Sequence, residues 1–183
     1  MDYQKLKSTI NFPEVQELLT YWLDRKGWSV APKRSDICPE DIIKLLPYIY
    51  MLDVEDDDQY IVRLWGTELR GLFDADLTGQ DIIKFLPSQM KDAALRSYET
   101  IRQEKTPWVT ALEYQMPFER IFSYTRLALP LIDKDGRVNM IIGMFYWDKG
   151  LADGQDISTL SNNFEACLSR IENGNKTDAG YSI

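Results

Sequence analysis

The stretch Ile121 to Trp147 constrains the fold more than any other part of the chain. It consists of two long apolar and β-branched runs, 121–132 and 138–147, joined at Asp133-Lys134-Asp135-Gly136. An Asp-Gly turn between two such runs specifies an antiparallel hairpin. A chain with this hairpin must build an antiparallel sheet and cover at least one of its faces with helices.

Further strands flank it. Tyr48 to Val54 and Tyr60 to Trp65 are β-type runs, and they form a second hairpin across Glu55-Asp56-Asp57-Asp58. Those acids read as a solvated turn. A hard-cation loop would need spaced ligands and usually a glycine. Trp108 to Met116 supplies one more strand, for about five in all.

Helical spacing fills the gaps. Val15, Leu18, Leu19, Trp22 and Leu23 follow a helix start at Asn11 and Pro13, and Gly27 suits its end. This apolar stripe packs either on its own domain or on a second copy of the chain. Asp36, Pro39 and Glu40 open a second predicted helix through Ile42, Ile43, Leu45 and Leu46, which Pro47 ends. Leu69, Leu72 and Phe73 mark a short helix and Asp81 to Leu86 another. A longer one over 89–105 carries Ala94, Leu95, Tyr98 and Ile101. A last helix is expected over 156–172, followed by a frayed tail over 173–183. The predicted class is α+β, an antiparallel sheet of about five strands with helices on one face plus N-terminal and C-terminal helices. The predicted organisation is an N-terminal helical extension over 1–30, the main domain over 31–150, a C-terminal helix over 151–172 and the tail.

Composition excludes several functions. The net charge is −8, and 21 basic residues are scattered among 29 acids. Phosphate binding needs clustered Lys and Arg, so neither nucleic acid nor an anionic membrane is an expected partner. No apolar run approaches the roughly 18 residues of a membrane span, and the first residues lack a secretory signal's apolar core. The expected location is cytoplasmic. Cys38 and Cys167 form no CxxC pair, and both are expected to be small buried hydrophobes. The chain has no histidine. That removes the usual Ser-His-Asp and Cys-His nucleophiles, the usual zinc sites and histidine-ligated haem. Asp74 and Asp76, at i and i+2 in a loop, do not complete a catalytic constellation. The chain is therefore read as a non-enzyme with no metal site.

Two strands, a group of short helices, one longer helix and three antiparallel strands form an order that resembles a PAS domain. The motifs YWLDRKG, PKRSDICPEDI, LPYIYMLDV and VRLWGTEL followed by DLTG resemble the bacterial, mostly alphaproteobacterial, single-domain PAS family. The resemblance covers residues 12–150. It implies a sensory or protein-interaction module, often dimeric, with a pocket between the sheet and the short helices. The implied partners are a second copy, met through the N-terminal helix, and an unidentified signalling protein. A noncovalent small ligand, or none, is the implied cofactor state. The flavin-binding type has a reactive cysteine where this chain has Gln80-Asp81-Ile82-Ile83-Lys84-Phe85, and the haem-binding type uses histidine. Both cofactors are disfavoured, as is a Cys-linked chromophore. The alternative is a ligand-free dimerisation domain with a filled core.

Which residues would line a pocket depends on the register of the 121–147 hairpin. A three-residue loop pairs Arg126 with Met144 and Tyr124 with Tyr146. A four-residue loop pairs Leu127 with Ile142 and Thr125 with Met144. Glycine after Lys-Asp favours the first, and a one-residue slip turns a whole face over. In PAS relatives the residue two before the strand-terminal Asp faces inward. Here that residue is Tyr146, which brings Met144 with it. The candidate pocket is Phe73, Tyr98, Tyr124, Arg126, Met144 and Tyr146. Arg126 either holds a carboxylate or phosphate ligand, or pairs with an acid such as Glu113, or points to solvent.

Overall fold

A computed structural model of the chain describes residues 3–55, 59–86, 88–115, 121–147 and 180–181. The chain opens with α1 (Tyr3–Ser8) and α2 (Pro13–Lys26). Strands β1 (Ile49–Val54) and β2 (Tyr60–Trp65) follow. After them come α3 (Thr67–Phe73), α4 (Ile82–Phe85) and α5 (Ser88–Glu104), and then β3 (Trp108–Gln115), β4 (Ile121–Ile132) and β5 (Val138–Trp147). A two-residue β6 (Gly180–Tyr181) pairs with Val109 and Thr110 of β3, so this part of the expected tail belongs to the sheet. The predicted helix over 156–172 and the acidic turn at 56–58 lie outside the described residues.

The sheet is antiparallel, in the order β2-β1-β5-β4-β3-β6. Both of its faces are covered. α2 lies against β4 and β5 on one face. Its stripe of Val15, Leu18, Leu19 and Trp22 is fully buried inside the chain, which is the own-domain packing weighed for this helix. Trp22 Nε1 donates to the Pro130 carbonyl oxygen at 2.9 Å. That oxygen lies on the stretch of β4 beyond Ala128, the last β4 residue paired with β3. Pro130 sits there without a strand neighbour to bond on that side, where a missing N–H is tolerated. Helices α3, α4 and α5 cover the other face. Two covered faces explain why Leu127 to Ile132 and Met140 to Met144 are apolar without alternation.

One predicted helix is replaced by tighter turns. In place of a single helix ending at Pro47, the chain makes 3₁₀ turns at Arg34–Asp36, Pro39–Ile42 and Leu46–Tyr48. Pro39 begins one of these turns and Pro47 is the second residue of another, and short i→i+3 pieces accommodate them where a continuous helix could not. This segment presses on the start of α3. A Cβ at Gly66 would lie 2.2 Å from the Pro47 carbonyl oxygen, so only glycine fits between β2 and α3. Cys38 is exposed, contrary to expectation, and its thiol donates to Glu40 at 2.8 Å. The neighbouring Ile37 takes the buried position.

Candidate functional site

The register of the last hairpin decides which side chains meet. Near the turn, Ile132 pairs with Val138 and Asp133 N donates to Arg137 O at 2.9 Å. This is the register that a three-residue loop predicts. One pair further in, a bulge leaves Asn139 unpaired, and Leu131 faces Met140. A bulge shifts all later pairs by one residue. Arg126 therefore pairs with Phe145, and Tyr124 with Trp147.

The shift corrects part of the expected pocket. Phe73, Tyr98, Tyr124 and Arg126 gather on the face under α3 to α5. Met144 and Tyr146 lie on the opposite face, beneath α2. There Tyr146 contacts Phe12 and Tyr48, at ring centroid distances of 5.3 and 4.9 Å. The residues the sequence reading missed are Tyr50, Trp65, Ser97, Gly143 and Phe145. For Gly143 and Phe145 the deciding feature is the bulge, which no short-range pattern announces; Tyr50, Trp65 and Ser97 come from β1, β2 and α5 and join the site only through tertiary packing.

The floor of this face is aromatic. Tyr50 reaches from β1 across Gly143 of β5 to β4, where its hydroxyl donates to the Leu127 carbonyl oxygen at 3.3 Å. A Cβ on Gly143 would stand 2.1 Å from the Tyr50 ring, so the glycine is what lets the ring lie flat on the sheet. Tyr50 also contacts Trp65 at 6.3 Å and Phe145 at 5.4 Å. Phe73, from the end of α3, meets Trp65 at 5.4 Å and Phe145 at 5.6 Å. Tyr124 meets Phe145 at 6.3 Å. The side chain of Asp81 begins α4 by accepting from Ile83 N at 3.0 Å, which sets Phe85 edge-on to Phe73.

Arg126 lies at one end of this floor. Its Nη2 donates to Ser97 Oγ of α5 at 2.8 Å, and its guanidinium carbon is 5.1 Å from the centre of the Tyr98 ring. Its Nε is buried without a partner. Burial acts first, against the charged guanidinium; the opposing pull of Tyr98, Tyr50 and Tyr124 that raises its pKa comes from their ionised forms, which are absent near neutral pH. The side chain of Glu113, weighed as an acid partner for Arg126, lies outside the described residues. At the far end of the floor, Trp65 Nε1 is a second buried donor without a partner, on a residue only 3% exposed.

The paired acids of the DADL loop are engaged locally. Asp76 accepts from Thr78 N at 3.0 Å and from its hydroxyl at 2.6 Å, and meets Arg70 at 3.1 Å. Asp74 closes α3 in a left-handed conformation. Among the described residues, no cluster of His, Cys, Asp and Glu is placed to hold a metal ion. No helix among them is long and apolar enough to cross a membrane.

Buried phenols make stability sensitive to alkali. Burial first, then a hydrogen bond to Glu14, pushes the Tyr146 hydroxyl from the ordinary 10.0 up to about 12. Burial also pushes Tyr50 and Tyr98 upward. The folded chain keeps these protons at a pH where the unfolded chain loses them. Their contribution is therefore whole below about pH 10 and is lost as pH rises toward 12. The melting temperature is expected to hold from about pH 8 to 10 and then fall, with the part of the phenolate absorbance due to the buried tyrosines rising only as the chain unfolds. A melting temperature unchanged at about pH 11.5 would contradict this burial.

A family model described as PAS domain matches residues 10–146. The chain belongs to the PAS domain family. Among solved structures it is similar to a light-oxygen-voltage domain studied with a flavin analogue, at 12% identity and TM-score 0.45, covering 73% of this chain and 93% of that one. It is similar to a sensory box sensor histidine kinase from Vibrio cholerae, at 14% identity and TM-score 0.43, covering 60% and 88%. It is also similar to the light-oxygen-voltage domain of a blue-light activated histidine kinase from Erythrobacter litoralis, at 18% identity and TM-score 0.41, covering 56% and 96%. No protein with curated function matches the chain.

Proposed function

We propose that this PAS-family chain is a cytoplasmic sensory module without catalytic activity. It holds a small molecule between the sheet and helices α3 to α5, and it passes its state to a signalling partner. One observation carries the reading. Trp65 Nε1 and Arg126 Nε are buried donors on the same sheet face, and neither has a partner. Each such donor costs about 1–3 kcal/mol when left unsatisfied. A chain with two of them facing one aromatic floor is suited to a guest that brings acceptors.

A second reading has its own observation. The Tyr50 ring already covers the floor above Gly143, as it would in a ligand-free dimerisation domain with a filled core. Native mass spectrometry of freshly purified protein separates the two. The sensor reading expects a small-molecule adduct that is lost under denaturing conditions. An unadorned mass, together with no stabilisation by any member of a metabolite panel, would leave the filled-core reading in its place. The same spectrum reports whether the chain pairs with itself. Because the apolar stripe of α2 is used inside the chain, a homodimer built on this helix would have to use its outer face.

A further inference from the structure

We infer that the guest is a planar organic monocarboxylate, bound with its acid group on Arg126. This rests on the small-molecule reading above. Three features of the site lead to it.

The first is charge. A guanidinium offers five N–H donors, and the contact described for Arg126 is a single bond to the neutral Ser97 hydroxyl. No carboxylate among the described residues touches it, although the chain as a whole carries 29 acids against 21 basic residues. A partly buried cation whose Nε is fully buried is costly without an acid, and a guest carboxylate removes that cost through charge-assisted hydrogen bonds. One cation balances one negative charge. A phosphate dianion would call for more, and none stands beside Arg126 among the described residues.

The second is shape. The walls between the two free donors are the rings of Tyr50, Phe73, Tyr124 and Phe145, in tilted and edge-on pairs. Such rings accept a flat aromatic body in offset or edge contact more readily than a branched aliphatic one.

The third is length. Trp65 and Arg126 stand on β2 and β4, with β1 and β5 between them. Three strand spacings put their backbones about 14 Å apart, and both side chains rise from the same face. A guest with its acid on Arg126 and a ring pointing toward Trp65 spans that gap if it carries a second acceptor.

The test compares acids with their neutral isosteres. Wild-type protein is titrated with 4-acetylbenzoate and 4-methoxycinnamate, and with the corresponding amides, by calorimetry and thermal shift at about pH 7. The acids are expected to bind about tenfold or more tighter than the amides, the range of a charged hydrogen bond. Arg126→Met is expected to reduce that preference to about twofold or less. The ligand-free variant is expected to melt no lower than wild type, since an unpaired charge has been removed. Equal binding of acid and amide by wild type overturns the inference, even if Arg126→Met does not fold. A preference that survives in Arg126→Met also overturns it. In either case the small-molecule reading stands. If no member of the panel binds, the monocarboxylate class falls. If native mass spectrometry also shows no adduct, the small-molecule reading falls with it.

Discussion

Gly143→Val is expected to destabilise the fold by about 3 kcal/mol, the upper part of the usual range for overpacking a core. The reason is local and geometric. A Cβ at this position would meet three atoms of the Tyr50 ring between 2.1 and 2.5 Å, and Tyr50 is fully buried. The ring has little room to retreat, because Trp65 and Phe145 contact it and its hydroxyl is bonded across the sheet. Urea unfolding measures the effect as a lower midpoint at unchanged slope. Combining Gly143→Val with Tyr50→Ala supplies the decisive comparison. If the ring is the obstacle, the double variant should be more stable than the sum of the singles by about 1–3 kcal/mol. Additive losses would mean that Tyr50 does not lie over the glycine. The result also bears on function, since Tyr50 is the side chain that any guest on this floor must lie against or displace.

Trp22→Ala should be at least as damaging, at about 3–5 kcal/mol. Trp22 is 0% exposed, although it belongs to a helix outside the main domain expected from the sequence. Its loss opens a cavity between α2 and the sheet and strips the Pro130 carbonyl oxygen of its donor. A domain is typically stable by only about 5–15 kcal/mol, so this single change removes a large fraction of the total. Trp22→Phe keeps most of the volume and should lose chiefly the hydrogen bond, about 1–3 kcal/mol. A Trp22→Ala cost under about 1 kcal/mol would show that α2 does not seal the sheet. The N-terminal 30 residues would then be an appendage rather than part of the core.

The elements themselves were largely legible in the sequence. Strands 121–132 and 138–147 appear where β-branched runs flank an Asp-Gly turn, and α5 where Ala94, Tyr98 and Ile101 recur at helical spacing. The short helix α1 was missed, with a single buried apolar residue, Leu6, to announce it. The helix expected around Ile42 failed because two prolines favour short 3₁₀ turns there over a continuous helix.

The candidate site was only half legible. Phe73, Tyr98, Tyr124 and Arg126 share the face beneath α3 to α5, as grouped from the sequence. Met144 and Tyr146 do not, because their facing depends on one extra residue at Asn139. The loop chemistry of Lys134-Asp135-Gly136 was read correctly, and the pair beside the turn confirms it. A bulge one step further in reverses the consequence for the remainder of β5, because side chains alternate with a period of two.

What this chain's sequence determined alone is what acts over a few residues. Periodicity sets the helices and strands, turn chemistry sets the hairpin, and the lack of histidine removes whole classes of catalyst. Only the tertiary structure decided which residues share a wall. That depends on where a bulge relieves the sheet, on a tyrosine from β1 that needs a glycine on β5, and on a tryptophan and an arginine three strands apart whose buried donors on one sheet face lack partners. Such relations join residues more than 60 positions apart in sequence. They are set by the packing of two covered sheet faces, which no local pattern encodes.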